Sequence, residues 1–415
     1  MPKDNLKKNK EDSKILTEKD LLGGKELSIV RLVDTLIEDA YKRKASDIHI
    51  DPELDDLRIR LRVDGILRDA FAFPKDLAPE IISRLKVMSG LRTDEHQTAQ
   101  DGRFRVQVKD GAYVDIRLSI VPTYYGENAV MRLLSQQSVE FTLDTLGFSK
   151  KNQTKVQKAI VKPYGMILAT GPTGSGKTTT LYTIVKMLNT AAVSIVTIED
   201  PIEYSIEGVE QIQVNPRTGL TFATGLRSIL RQDPNIIMVG EIRDEDTAGI
   251  AVNAALTGHL LLSTLHTNDA ATTLPRLIDM KIEPFLIAST VNIAIGQRLV
   301  RTICPDCRTV KRLTDEEFKS LAEVLPAGTL DNQKKFYVGK GCATCDHSGY
   351  KGRVGIHEVL EMTNEVREAV MKKDDADEIR KIAIKGGMET MFEEGFQKAE
   401  QGITTIEEIL RVIHE

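Results

Sequence analysis

The chain has 415 residues, more than one hydrophobic core usually serves, so two or three domains are expected, and its 41% hydrophobic content is ample to pack them. Lys and Arg (56) against Asp and Glu (61) leave a net charge of -5, which argues against a molecule-wide basic surface for nucleic acid or anionic lipid. No run approaches the roughly 18 apolar residues of a membrane-spanning helix, and the polar, mixed-charge start does not read as a secretory leader, so a cytoplasmic protein with a disordered tail over residues 1–25 is expected.

The predicted elements begin with an amphipathic helix over 27–41, where Ile29, Val30, Leu32, Val33, Leu36, Ile37 and Ala40 share a face. Residues 56–64 then alternate, Leu57, Ile59, Leu61 and Val63 against Arg58, Arg60 and Arg62, up to Asp64-Gly65, the signature of an antiparallel hairpin. A helix-like stretch over 81–88 and short strands over 102–108, 113–119 and 129–134 complete a mixed α+β module over 26–137. Turn-prone Gly147, Ser149 and Asn152 mark a linker over 138–152.

The pattern changes near residue 165. Runs over 166–169, 193–198, 236–239 and 260–265 are too short and too continuous for surface helices and read as buried parallel strands. Each ends in polar or glycine-rich chemistry: a glycine loop, Glu199-Asp200, Gly240-Glu241 and His266. Because ligands bind beyond the carboxyl ends of strands in open α/β sheets, the four runs point to one cleft within an α/β core over 153–300.

The glycine loop, Gly171-Pro-Thr173-Gly174-Ser175-Gly176-Lys177-Thr178, is a complete phosphate-binding motif followed by Thr179 and the amphipathic Leu181, Ile184, Val185 and Leu188. Glycines let successive backbone N–H groups turn toward phosphates at a helix N-terminus; Lys177 would neutralise the β/γ-phosphates and Thr178 would hold Mg²⁺. Glu241 stands where the acid that assists the metal or orients water belongs, although Gly240 replaces the usual Asp. Glu199 is favoured as general base, with Asp200 beside it, and His266 as a sensor of the γ-phosphate. Arg103, Arg117 and Arg132, on or beside short strands of the first module, are candidates to place positive charge on the transition state.

Cys304-Pro-Asp-Cys307 and Cys342-Ala-Thr-Cys345 are paired thiolate knuckles. Four thiolates suit a closed, structural Zn²⁺ site that would fold a subdomain over 301–355; redox pairs are the rival reading. Helical spacing after residue 356 (Val366, Ala369, Val370; Ile406, Ile409, Leu410, Ile413) reads as packing in a helical C-terminal domain over 356–415.

With these residues in view, the chain resembles the secretion ATPases of type II secretion and type IV pilus assembly over 27–415. The resemblance rests on Ala45-Ser-Asp-Ile-His-Ile-Asp51, Arg62-Val-Asp-Gly65, Asp101-Gly-Arg-Phe104, the phosphate loop, Ile198-Glu-Asp-Pro-Ile-Glu203, Leu230-Arg-Gln-Asp-Pro234 leading to Val239-Gly-Glu-Ile-Arg-Asp244, and the segment from Ser263 through His266 to Asp269. It implies an α/β RecA-like P-loop NTPase domain preceded by a PAS-like α+β domain, and a homohexamer that hydrolyses ATP and acts on an inner-membrane platform protein. Lys177, Thr178, Glu199, Glu241 and His266 take the nucleotide-site roles, and Arg103, Arg117 and Arg132 match the arginines that reach the phosphates. The tetracysteine motif favours assembly or secretion over retraction; the short stretch before the first helix departs from the assembly type, which usually carries a further docking domain. The competing readings are a nucleic-acid translocase, which the acidic balance and the lack of a basic, aromatic-interleaved stripe oppose, and a nucleotide-gated scaffold with little turnover.

Overall fold

The computed structural model describes residues 17, 28–109, 111–135, 141–316, 318 and 335–414, so most of the expected tail over 1–25 lies outside the described residues. The chain divides into two compact units, Met1–Val139 and Glu140–Glu415. No helix among the described residues is long and apolar enough to cross a membrane.

In the first unit, α1 (Ile29–Lys42) turns Leu32, Val33, Leu36, Ile37 and Ala40 into the core, as the 3.6-residue spacing demands. It is followed by β1 (Ala45–Pro52), β2 (Asp56–Val63), β3 (Ile66–Pro74), α2 (Ala78–Met88), β4 (Gln100–Gln107), β5 (Tyr113–Thr123) and β6 (Gly126–Ser135). The six strands form one antiparallel sheet in the order β3-β2-β1-β6-β5-β4. Asp64 and Gly65 both have positive φ (51° and 85°), the backbone of a tight hairpin turn that matches the twist of β2 and β3. Leu57, Ile59, Leu61, Ile116, Leu118 and Met131 face the helices, which leaves the arginines between them on the other face of the sheet.

In the second unit, α3 (Lys150–Ile160) starts where Ser149 caps the Asn152 N–H, so Asn152 lies in a first helical turn rather than in the linker expected over 138–152. The chain continues through β7 (Gly165–Thr170), α4 (Lys177–Leu188), β8 (Ile195–Glu199), β9 (Glu210–Gln213), α5 (Phe222–Ile229), β10 (Ile236–Val239), α6 (Glu245–Leu256), β11 (Leu260–Leu265), α7 (Thr273–Asp279), α8 (Pro284–Thr290) and β12 (Val291–Ile303). A hairpin of β13 (Arg308–Arg312) and β14 (Lys335–Gly339) precedes β15 (Tyr350–Glu361), and α9 (Asn364–Lys372), α10 (Ala376–Lys385), α11 (Met391–Glu400) and α12 (Ile406–His414) close the chain. The main sheet runs β15-β12-β7-β11-β10-β8-β9; all neighbours are parallel except β15, which pairs antiparallel with β12.

Both faces of this sheet are covered, which is why its strands read as continuous apolar runs. Ile167 and Ala169 pack with α3 and α4 on one face, while Met166 and Leu168 pack with α5 to α8 and with Val366, Val370 and Ile379 of α9 and α10 on the other. Each such side chain, fully removed from water, contributes about 1.5–3 kcal/mol before the entropy of ordering it. The C-terminal helices are well delimited: Thr363, Asp375 and Thr390 each accept a first-turn backbone N–H. Val366, Ala369, Val370, Ile406 and Ile409 are buried, in keeping with the packing their spacing predicts.

Candidate nucleotide site and tetracysteine centre

Parallel register decides what meets at the carboxyl edge of the sheet. Thr170 lies opposite Leu265, Ser263 opposite Val239, and Val239 opposite Ile198. The residues that follow these strands, Gly171, His266, Gly240-Glu241 and Glu199-Asp200, therefore emerge side by side. Side-chain bonds brace the edge: Ser263 donates to the Val239 carbonyl and Thr264 to that of Gly240, both at 2.8 Å. Packing is close at Gly240, where a Cβ would stand 3.3 Å from Ile198 O and Glu199 Cα. An Asp in its place would crowd the neighbouring strand.

The phosphate loop wraps over this edge. Gly171 has φ +145°, and a Cβ on it would lie 2.5 Å from the Gln297 carbonyl of β12, so glycine alone fits without a shift. Gly176 caps α4 in a left-handed conformation, with Lys177 as the first helical residue. Thr173 and Gly174 are exposed, Ser175 is buried, and Thr178 and Thr179 are half-buried at the start of the helix. Lys177 is 9% exposed, and its Nζ donates to the carbonyls of Gly171 (2.8 Å) and Pro172 (3.0 Å). Burial lowers its pKa to about 8; Glu241 opposes the shift and Arg298 adds to it. An ammonium held in so dry a place gains strongly from any anion that enters the loop.

The two acids beyond the neighbouring strands have different surroundings. Glu241 Oε2 accepts from Arg243 Nε at 2.6 Å and lies 3.0 Å from His266 Nε2, whose imidazole is half exposed. Glu199 is 2% exposed; Oε1 accepts from Thr197 Oγ1 (2.6 Å) and Gln211 Nε2 (3.1 Å), and Oε2 from the Tyr182 hydroxyl of α4. Burial and then the adjacent Glu199 charge push the Tyr182 pKa up, so this phenol stays a donor. The structure thus joins His266 to Glu241, and Glu199 to the helix that carries the phosphate loop.

At the far end of β12, Cys304, Cys307, Cys342 and Cys345 bring their Sγ atoms within 4.8 Å of one another. Cys304–Cys342, Cys307–Cys345 and Cys342–Cys345 are each 3.8 Å apart, well beyond the roughly 2.05 Å of a disulfide. Burial would raise the Cys345 thiol, but the backbone N–H groups of Cys342 and Gly349 that point at its Sγ (3.2 and 3.3 Å), together with the Cys342 and Cys307 side chains, bring it down to about 6. The cluster is a donor set able to hold a soft metal ion.

A family model described as Type II/IV secretion system protein matches residues 24–411. The chain belongs to that family. It is 46% identical over 397 residues to Type II secretion system protein E of Dickeya dadantii, covering 95% of this chain and 78% of that one. It is 47% identical over 385 residues to Type IV pilus assembly ATPase PilB of Thermus thermophilus, covering 92% of this chain but only 42% of the longer relative. Among solved structures, the pilus retraction motor PilT with bound ADP superposes with a TM-score of 0.62 at 25% identity, over 93% of this chain and 97% of that one. The Legionella pneumophila ATPase DotB, at 23% identity, shares the fold, with a TM-score of 0.68 over 94% and 96% of the two chains.

Within this type II/IV secretion fold, the three arginines singled out in the sequence fall into one transverse row of the first unit. Arg103 is opposite Arg117, Arg117 opposite Arg132, and Arg132 opposite Asp47, which in turn faces Arg62. Buried Asp47 binds the Nε atoms of Arg132 (3.1 Å) and Arg62 (3.4 Å). Sequence reasoning missed Gln297 and Arg298. Gln297 Nε2 donates to the Ser175 carbonyl at 2.7 Å, and the buried Arg298 guanidinium acts electrostatically on Lys177. Their signal was available as two adjacent polar residues inside the otherwise apolar start of β12. Arg243 was missed as well, although its partner Glu241 stands two residues before it, and so was Tyr182, whose partner Glu199 lies on another element.

Proposed function

We propose that this protein is a motor ATPase of pilus or pseudopilus assembly or of type II secretion, binding ATP on the phosphate loop and hydrolysing it with water held by the Glu241–His266 pair. The observation that carries the reading is the meeting of Lys177, Glu241 and His266 at one sheet edge. Lys177 exchanges its two carbonyl partners for β/γ-phosphate oxygens. Thr178 would hold Mg²⁺, which supplies charge neutralisation to the phosphates. Glu241, whose carboxylate meets the half-exposed His266 imidazole, is the acid that orients or deprotonates the attacking water, and His266 senses the departing phosphate. Glu199, expected as the base, already accepts three hydrogen bonds in a buried setting, which suits it to bracing the phosphate-loop helix through Tyr182. Arg103, Arg117 and Arg132 are the candidates to bring positive charge to the phosphates, and Asp47 holds the last of them.

The four thiolates are the ligands of one structural Zn²⁺. A tetrahedron with Zn–S bonds of about 2.3 Å has edges of about 3.8 Å, the spacing seen between the sulfurs. The relatives named for secretion and pilus assembly are 46–47% identical to this chain and the retraction motor 25%, which favours extension or secretion. The working form is a cytoplasmic homohexamer acting on an inner-membrane platform protein, with a PAS-like first domain. ATP turnover by the wild type and by Lys177→Ala, with size analysis and a zinc assay, tests this. Turnover by a hexamer that the substitution abolishes, with about one zinc per chain, supports it. A zinc-loaded hexamer without turnover would reject it in favour of a nucleotide-gated scaffold.

A further inference from the structure

The segment after β11 that carries His266 is held from three directions. Toward the phosphate loop, the Thr267 N–H donates to Thr170 Oγ1 at 3.1 Å. Toward β15, the Ala270 N–H donates to Glu358 Oε1 at 2.7 Å, and Glu358 is 4% exposed. The third restraint comes from the C-terminal helices: Arg380 Nη2 of α10 binds Asp269 Oδ2 at 2.5 Å. Asp269 is already oriented, because its Oδ1 accepts from both the N–H and the hydroxyl of Thr272 at 2.8 Å. Arg380 is oriented too. Its Nη1 pairs with Asp377 at 3.1 Å, and its neighbour Ile379 is fully buried in the core that also holds Ala270, Ala271 and Leu274.

A charged contact between two pre-oriented groups transmits position better than an exposed pair of mobile side chains does. Asp269 lies three residues from His266, and its carbonyl also accepts from the Thr267 hydroxyl at 3.1 Å. We propose that Arg380 is a positioning residue of the hydrolytic site: through Asp269 it sets the 266–269 segment, and so the registry of His266 on Glu241. The C-terminal helices then do more than pack. They are wired to the γ-phosphate side of the site, and a load on α10 changes the geometry of the His266–Glu241 pair. This inference rests on the hydrolytic role proposed above for that pair.

The test uses the full chain in its active assembly and measures kcat, KM, melting temperature and the pH-rate profile for Arg380→Ala, Arg380→Lys, Asp269→Asn, His266→Ala and the Arg380→Ala/His266→Ala double variant. The expected result is a fall in kcat of about tenfold for Arg380→Ala and Asp269→Asn, with KM and melting temperature little changed. Arg380→Lys should recover part of the loss, and the double variant should be no slower than His266→Ala alone. Wild-type kcat in Arg380→Ala overturns the proposal. So do losses that multiply in the double variant, or a kcat loss that tracks a lowered melting temperature and that lysine does not rescue. An inactive wild type, or a His266→Ala variant at full rate, instead removes the hydrolytic reading of the pair itself, and this proposal with it.

Discussion

One strand, β12, serves two sites built on opposite principles. Near its middle, Gly296 lies opposite Thr170, and Gln297 reaches the phosphate loop; after its last residue, Cys304 enters the thiolate cluster. The loop is positioned by the packed sheet beneath it, where Ile167, Ala169, Leu262 and Ile295 are essentially excluded from water. Among the described residues the cysteine hairpin has little core of its own: Leu313 and Phe336 lean on Phe396, Ile406 and Ile409 of α11 and α12. Where apolar burial is ample, a site can be left open for a ligand that comes and goes. Where it is scarce, the proposed metal would do the ordering and its site must be closed.

The sharpest way to break this contrast is to remove one thiolate. Structural zinc contributes on the order of 10–16 kcal/mol to small metal-ordered domains. Cys345→Ser should therefore lose the zinc proposed above and expose 304–312 and 335–349 to hydrogen exchange, while the amides of β7 and β11 stay protected. Equal protection throughout would show that the hairpin stands without metal. Lys177→Ala should do the converse, cutting turnover by about a thousandfold, near 4 kcal/mol, with zinc content and melting temperature unchanged.

Leu262→Ala, in the strand beneath the loop, should lower the unfolding free energy by about 2–5 kcal/mol in denaturant titrations and leave zinc stoichiometry alone. A loss of zinc there would mean that the two sites share one folding unit. The smallest effect is in pH. Phosphates bind the protonated Lys177 and raise its pKa, so nucleotide affinity is fully present below the free protein's value of about 8. Above that value it should weaken by up to about tenfold per pH unit, near 1.4 kcal/mol, as the neutral amine must first be protonated. Calorimetric titration between pH 7 and 9.5 reads this directly, and a flat profile would separate the loop from Lys177.

The legible part of the site is the part made of contiguous residues. The glycines and Lys177 of the phosphate loop, the acid of Gly240-Glu241, His266 and the two cysteine pairs each carry their chemistry within a few positions, and the strands that deliver them show as apolar runs. Glu199 was legible as an acid at a strand end. Its burial against Tyr182, Thr197 and Gln211 was not, since those bonds depend on how a helix and two strands pack. The linker boundary was blurred for a related reason: Ser149 and Asn152 suit a turn, but the same pair is a helix cap when a helical face behind it has something to bury.

By itself the sequence determined which strands are buried on both faces, which loop carries the phosphate-binding pattern and which sulfurs gather, because these depend on local periodicity and on the fixed chemistry of a few residue types. Only the tertiary structure decided that Gly240 lies close against the backbone of β8, that Gln297 braces the loop, and that Arg103, Arg117 and Arg132 form one row. It also decided that Asp269 meets Arg380, 111 positions away. Pairings over such separations have no local signature, since they arise from strand order and register once the whole hydrophobic pattern has been satisfied together.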